Sequence, residues 1–483
     1  MVKAVVGEET QLKLAEDRLA QCGASSQVGL VIGKLSSKLD RGFVFDLVPT
    51  PPNDDGQPAC SVTEADKKRA PNKGKSQAEP LSLLFVDTDW VAEHARQVSR
   101  LLLGGMKVVG IYIWVNESTF KNSTIALCQT VKGVAEAAPL LEVGLDERLL
   151  IHISYSPRRW TCRNCMLPSN ISSNSLRPCD FKMGRVLTSL QTFKCTYSFD
   201  VRLPICSENA SSTRRLVDIL RRGISSHAKE LKDAKALIDG MLVIIDDQCL
   251  SDGSHEIEFL LPLLQDTSME ACSNKEAGVL VFKGSVCSLA YLNSKEPISQ
   301  ALADIKGDII TSLMSRLDII CDEAERELDT ISTSGVESYD ISTAKPILQH
   351  DLQLLRKQCG ISFPRRVFVP WLAGTYICDY IQPSETLEVL KDHCVELMSM
   401  EAPTDASTIL EPETEATTLV VGKSFWDMAV PFSSESTLPK NRNETSLVGD
   451  KSSVKSTDFN IIAALLILML SIVVGLVLLV RAS

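Results

Sequence analysis

Residues 90–114 read WVAEHARQVSRLLLGGMKVVGIYIW. Val91, Ala95, Val98 and Leu102 recur at three- and four-residue spacing, which predicts one apolar face on a helix over Trp90–Leu103. Asp87 or Asp89 is placed to cap its start. Gly104-Gly105 should stop it, because glycine takes the left-handed backbone that closes a helix. Met106–Trp114 then reads as a buried strand, dense in β-branched and aromatic residues. An amphipathic helix feeding a buried strand predicts an α/β or α+β fold.

Upstream, Leu12, Ala15 and Leu19 predict a first helix over Glu8–Gln21. Val28–Gly33 (VGLVIG) and Arg41–Val48 (RGFVFDLV) predict strands, the second ended by Pro49, Pro51 and Pro52. Residues 53–80 are rich in Lys, Asp, Pro and Ser, which predicts a solvated loop. Leu149–Ser154 (LLIHIS) predicts a further strand. Residues 1–155 therefore form a first α/β domain, and 156–240 a cysteine-containing, irregular and helical connection. A second α/β region spans 241–400. It holds strands at Met241–Asp246, Gly278–Phe282 and Val367–Val369. Its long helix, Pro297–Leu328, carries Leu302, Ile305, Ile309, Leu313, Leu317 and Ile320 on one face. A shorter amphipathic helix is expected over Thr386–Met398.

Residues 401–458 lose periodicity and fill with Ser, Thr, Glu, Asp and Pro, which predicts a flexible tether. Phe425-Trp426 within it reads as an exposed pair. The chain then runs into IIAALLILMLSIVVGLVLLV, Ile461–Val480, where fifteen of twenty residues are Leu, Ile or Val and none is charged. As a helix it would be about 30 Å long, the thickness of a bilayer's hydrocarbon core. Ile461, Leu465, Leu470, Leu476 and Val480 would face lipid along its length. Residues 459–483 are thus expected to be a tail anchor, with residues 1–460 in the cytosol. The strongly apolar span, with few basic flanking residues, favours the endoplasmic reticulum membrane.

A net charge of −11 argues against nucleic acid as a partner. The fifteen cysteines of a cytosolic chain are expected to be reduced thiols. Cys162-x-x-Cys165, with Cys179 and Cys195 downstream, is the nearest approach to a zinc motif. It has one close pair where structural zinc usually has two. His94 and His152 read as satisfied structural histidines, since no two histidines share ligand spacing. No Gly-x-Ser-x-Gly elbow or phosphate-binding loop occurs. No cofactor is expected.

The order VGLVIGK, helix, GGMKVVGIYIW resembles the MPN fold, the scaffold of JAMM metalloproteases. Gly29 and Gly33 match the first pattern of that family, but Ser26 stands where its catalytic glutamate would be. Gly110 and Tyr112 match the second, but Ile113 and Val115 occupy the two histidine positions. Ser123 matches the downstream serine, and Ala126 replaces the aspartate ligand. The resemblance implies an MPN-like domain without metal ligands, a pseudoenzyme.

Over most of its length the chain resembles the odorant-response-abnormal (Odr-four) family. The features that carry this are VGLVIGK, residues 90–114, the SPRRW turn, IKGDIITSLMSRLDI, PRRVFVPWLAGTYICDY and the terminal span. The resemblance implies an endoplasmic-reticulum adaptor that assists trafficking of multi-span receptors. It also implies pairing with the cysteine protease specific for the ubiquitin-fold modifier. The rival expectation is a membrane-bound hydrolase, dependent on zinc or on a thiol.

Overall fold

In the computed structural model the described residues are 2–36, 40–64, 82–140, 147–167, 175–206, 216–243, 253–262, 276–293, 296–333, 361–401, 403 and 405–422. The first layer opens with β1 (Ala4–Glu8), α1 (Glu9–Gln21), β2 (Gln27–Ser36) and β3 (Arg41–Pro49). A small hairpin of β4 (Cys60–Glu64) and β5 (Ser82–Val86) leads to α2 (Thr88–Leu101) and β6 (Lys107–Trp114). Then come α3 (Glu117–Asn122), α4 (Thr124–Ala137), β7 (Glu147–Tyr155), β8 (Arg158–Met166) and β9 (Leu176–Gly184). Seven of these strands close into a barrel in the order β1-β3-β2-β6-β7-β8-β9.

Two apolar clusters follow from strand alternation, which sends successive side chains to opposite faces. One packs Leu12, Ala15 and Leu19 of α1 with Val31, Tyr112 and Ile151. The other sets Leu30, Ile111 and Leu150 against Val91, Ala95 and Val98 of α2 and Leu127 and Val131 of α4. The stop after α2 forms as expected, with φ of +68° at Gly104 and +80° at Gly105. The Asp87 carboxylate accepts the Trp90 N–H and caps that helix.

A second sheet follows, of β10 (Leu190–Cys206), β11 (Lys235–Ile238), β12 (Met241–Leu242), β13 (Ser254–Leu260), β14 (Glu276–Asn293), β15 (Ile361–Ser362) and β18 (Thr418–Gly422). Its order is β12-β11-β13-β10-β14-β18-β15. The long antiparallel pair β10–β14 runs from Leu190 opposite Asn293 to Cys206 opposite Glu276. Phe193, Cys195, Tyr197 and Phe199 alternate inward from β10. They bury under α5 (Leu216–Asp233) and α6 (Ile298–Thr333), whose Ile305, Ile309, Leu313 and Leu317 are fully buried. The apolar stripe expected on the long helix is thus the cover of this sheet.

Between the layers lie the hairpin β16 (Arg365–Pro370) and β17 (Tyr376–Ile381), and α7 (Leu387–Met398). Val367, Phe368, Cys378, Leu390 and Cys394 join the same apolar cluster as α2 and β6. Residues Met1–Lys423 therefore make one unit.

Three expectations change. Residues 156–240 are not an irregular connection, because β8 and β9 complete the barrel and β10 begins the second sheet. Repeated Cys, Arg and Pro hid these strands, and β9 finds its second partner, β1, at the far end of the barrel sequence. The first domain does not end at 155, since a barrel closed by β9 extends to Gly184; what is observed is a mixed α/β barrel with helical cover. Residues 401–422 are not tether either. Glu413 and Thr417 are buried, and β18 pairs with β14 and β15. Residues 423–458, including Phe425-Trp426, and the span Ile461–Val480 lie outside the described residues. Among the described residues, no helix is long and apolar enough to cross a membrane.

Candidate functional site

Sequence motifs far apart in the chain converge on a buried charged seam. Lys34, the last residue of VGLVIGK, is 5% exposed on β2. Its Nζ lies 2.6 Å from Asp304 Oδ2 and 3.4 Å from Glu296 Oε1, and donates to the Tyr291 carbonyl at 3.2 Å. Burial alone would lower its pKa, but the attraction of Asp304 and Glu296 outweighs that and holds it above the ordinary lysine value. Burial raises the Glu296 pKa, against the pull of Lys34.

The second half of the seam is built from IKGDIITSLMSRLDI and PRRVFVPWLAGTYICDY. Arg316 Nη2 donates to both Glu413 carboxylate oxygens at 2.7 Å, with both side chains fully buried. Arg316 Nη1 donates to the Pro364 carbonyl and to Thr417 Oγ1. Arg366 Nη1 donates to Asp308 Oδ2 at 2.7 Å, and Nη2 to Asp308 Oδ1 and the Tyr380 hydroxyl. The Arg366 backbone N–H donates to Glu413 Oε2, which joins the two pairs. Arg316 and Arg366 also lie over the Tyr380 ring. Both carboxylates are already held by guanidinium groups and sealed from water. The arrangement locks residues 361–419 onto α6 and β14, and exposes no acid, base or nucleophile to a substrate.

Sequence reasoning missed this seam. The available signal was Asp308, Ser312 and Arg316, which recur every fourth residue beside the apolar stripe of α6. The Arg316 guanidinium reaches Ser312 Oγ at 3.3 Å.

The positions compared with metalloprotease ligands fall elsewhere. Ile113 and Val115 are fully buried in the apolar core. Gly29 sits opposite Tyr112 in the β2–β6 register, and a Cβ on Gly29 would come 2.5 Å from the tyrosine ring. The matching glycine and tyrosine therefore pack one strand on another. Ser26 is half-buried, and hydrogen-bonds the Cys60 thiol. Ala126 is in the first turn of α4, and Ser123 Oγ accepts the Leu84 N–H. The neighbouring His152 donates from Nε2 to the Val115 carbonyl at 2.9 Å and stacks on Phe120. Burial lowers its pKa and favours the neutral ring. His94 is likewise satisfied: its Nε2 donates to the Leu397 carbonyl, so Nδ1 accepts from the Thr50 hydroxyl.

The four cysteines of the zinc expectation do not meet. Cys162 and Cys165 are three apart on β8 and so point to opposite faces. Cys162 stands directly opposite Cys179 of β9. Cys165 turns to the other core, where its thiol hydrogen-bonds Cys128 of α4. Cys195 is in the second sheet's core. Among the described residues no three His, Cys, Asp or Glu side chains are grouped to hold a metal ion.

The molecule is thus a two-layer α/β protein, a closed barrel joined by buried ion pairs to a helix-covered sheet. The profile of the family described as ODR4-like (Odorant response abnormal 4-like) matches residues 29–409, and the chain belongs to that family. Protein odr-4 homolog of Mus musculus is 25% identical over 406 residues, covering 79% of this chain and 80% of its own. That of Homo sapiens is 26% identical over 396 residues, with 77% of each chain covered. That of Dictyostelium discoideum is 25% identical over 377 residues, with 75% and 73% covered. Among solved structures, UfSP from C. elegans aligns with a TM-score of 0.39 at 9% identity, over 86% of this chain and 60% of that one.

Proposed function

We propose that this protein is a non-catalytic adaptor of the endoplasmic reticulum membrane. It assists the trafficking of multi-span receptors and recruits the cysteine protease specific for the ubiquitin-fold modifier. The observation that carries this reading is the family match, which runs through both the barrel and the second sheet. The uncharged run Ile461–Val480 supports attachment by the tail. In this reading the MPN-like N-terminal layer is a pseudoenzyme, with Ile113 and Val115 committed to the core.

A partner needs an apolar surface. The buried stripe of α6 is spent on the second sheet, which leaves the sheet edge as the better surface. There Met241 is 74% and Leu242 52% exposed. Full-length protein purified from detergent-solubilised membranes should co-precipitate the modifier protease or a multi-span receptor; recovering neither would overturn the reading. Deleting residues 459–483 should keep partner capture and abolish its recruitment to membranes. Stoichiometric zinc in the purified protein, lost on mutating Cys162 and Cys165, would instead favour a hydrolase.

A further inference from the structure

The cysteines that fail as a zinc site leave two of their number face to face. We propose that Cys162 and Cys179 are a redox modification site, a thiol pair that hydroperoxides oxidise to a disulfide across β8 and β9.

The register sets the geometry. Cys162 and Cys179 are direct partners in the antiparallel β8–β9 pair. Directly opposed residues in such a pair have Cα atoms about 4.5–5.5 Å apart. A disulfide spans Cα separations of about 4.4–6.8 Å. The two backbones are therefore within the reach of a disulfide. Both are free thiols, 3% and 9% exposed. The two thiols share a hydrogen bond across the strands, and Cys179 Sγ also reaches the Asp180 carbonyl at 3.8 Å. Cys179, the more exposed of the two, is the thiol a peroxide meets first, and Cys162 is the resolving thiol.

The steps balance. The Cys179 thiolate attacks one peroxide oxygen and the O–O bond breaks; the leaving oxygen takes a proton and departs as water. Cys179 is now a sulfenic acid. Cys162 sulfur attacks it, the S–O bond breaks, and the hydroxyl leaves as a second water with the Cys162 proton. Two thiols are oxidised and one hydrogen peroxide is reduced to two waters. The bond would join β8 to β9, the strand that closes the barrel onto β1.

The test is full-length protein in detergent, treated with hydrogen peroxide, then denatured and alkylated. Of its fifteen cysteines, two should escape alkylation, and peptide mapping should join Cys162 to Cys179. C162S should leave Cys179 as a sulfenic acid that dimedone traps. C179S should leave Cys162 reduced. C128S, which removes the thiol beside Cys165, should form the bond as the native chain does. Fifteen alkylated thiols, or a bond joining Cys128 to Cys165 in place of this pair, would overturn the proposal.

Discussion

Lys34 Nζ lies 2.6 Å from Asp304 Oδ2, an ion pair that ties the second strand of the barrel to the long helix of the other layer. A buried pair of this kind gives little net stability when intact, but its rupture leaves an uncompensated charge out of water. Lys34→Met should therefore cost about 3–5 kcal/mol, because Asp304 and Glu296 both lose their cation. Asp304→Asn should cost less, since Glu296 still faces Lys34. Urea unfolding midpoints of the two variants measure the difference; equal losses would contradict the shared-cation geometry.

Arg316 and Glu413 give the second prediction. Either Arg316→Met or Glu413→Leu alone should destabilise by about 3–5 kcal/mol. The double variant should recover much of that, because neither charge remains to be buried. Additive losses in denaturant titrations would show that the pair does not act as a unit. Because Glu413 also accepts the Arg366 N–H, Glu413→Leu should be the worse of the two single changes.

Asp46 supplies a pH prediction. It is buried on β3, and burial pushes its pKa up to about 6, against the hydrogen bond from the Leu47 N–H. A folded pKa above the unfolded 3.8 means that the native state holds the proton more tightly. Stability is then highest below pH 4 as far as this group is concerned, falls as pH rises to about 6, and is flat above. Asp46→Asn should stabilise the protein near pH 7 by up to about 3 kcal/mol and do nothing at pH 3.5. Thermal melts across that range would expose an opposite slope.

Gly104 is held by a neighbour as well as by its backbone. At φ +68° an added Cβ would lie 2.0 Å from the Tyr291 ring, and the Gly104 carbonyl accepts the Tyr291 N–H at 3.1 Å. Gly56 has a similar φ of +74° with nothing within 4 Å. Gly56→Ala should cost about 1 kcal/mol for backbone strain alone. Gly104→Ala should cost at least about 2 kcal/mol more, because the layers must part to admit the methyl group. Melting temperatures of the two variants separate strain from collision, and equal shifts would show no layer contact at Gly104.

The local elements were largely legible. The periodicity of Val91, Ala95 and Val98 is α2, and the apolar run after Gly104-Gly105 is β6. Leu302 through Ile320 marked the long helix. The misread strands share a cause. β8 and β9 alternate weakly and contain Arg158, Arg159, Pro178 and several cysteines, so nothing local marks them as strands. They are strands because β7 and β1 offer them backbone partners. Thr418–Gly422 is similar, a short run after a polar stretch that becomes a strand only where β14 presents an edge.

The sequence alone determined the helices α1, α2, α6 and α7, the most apolar strands, the apolar residue types at Ile113 and Val115, and a charge-free run of bilayer length at Ile461–Val480. Each depends on residue type and near-neighbour spacing, which the chain carries whatever its fold. Tertiary structure decided which cysteines face each other and why Gly104 cannot bear a side chain. It also decided that Lys34 meets Asp304, and that Asp308, Arg316, Arg366 and Glu413 form one buried network. Those facts depend on strand register and on contacts between residues tens to hundreds of positions apart, where the pairing of a charge is set only by what the packed core brings beside it.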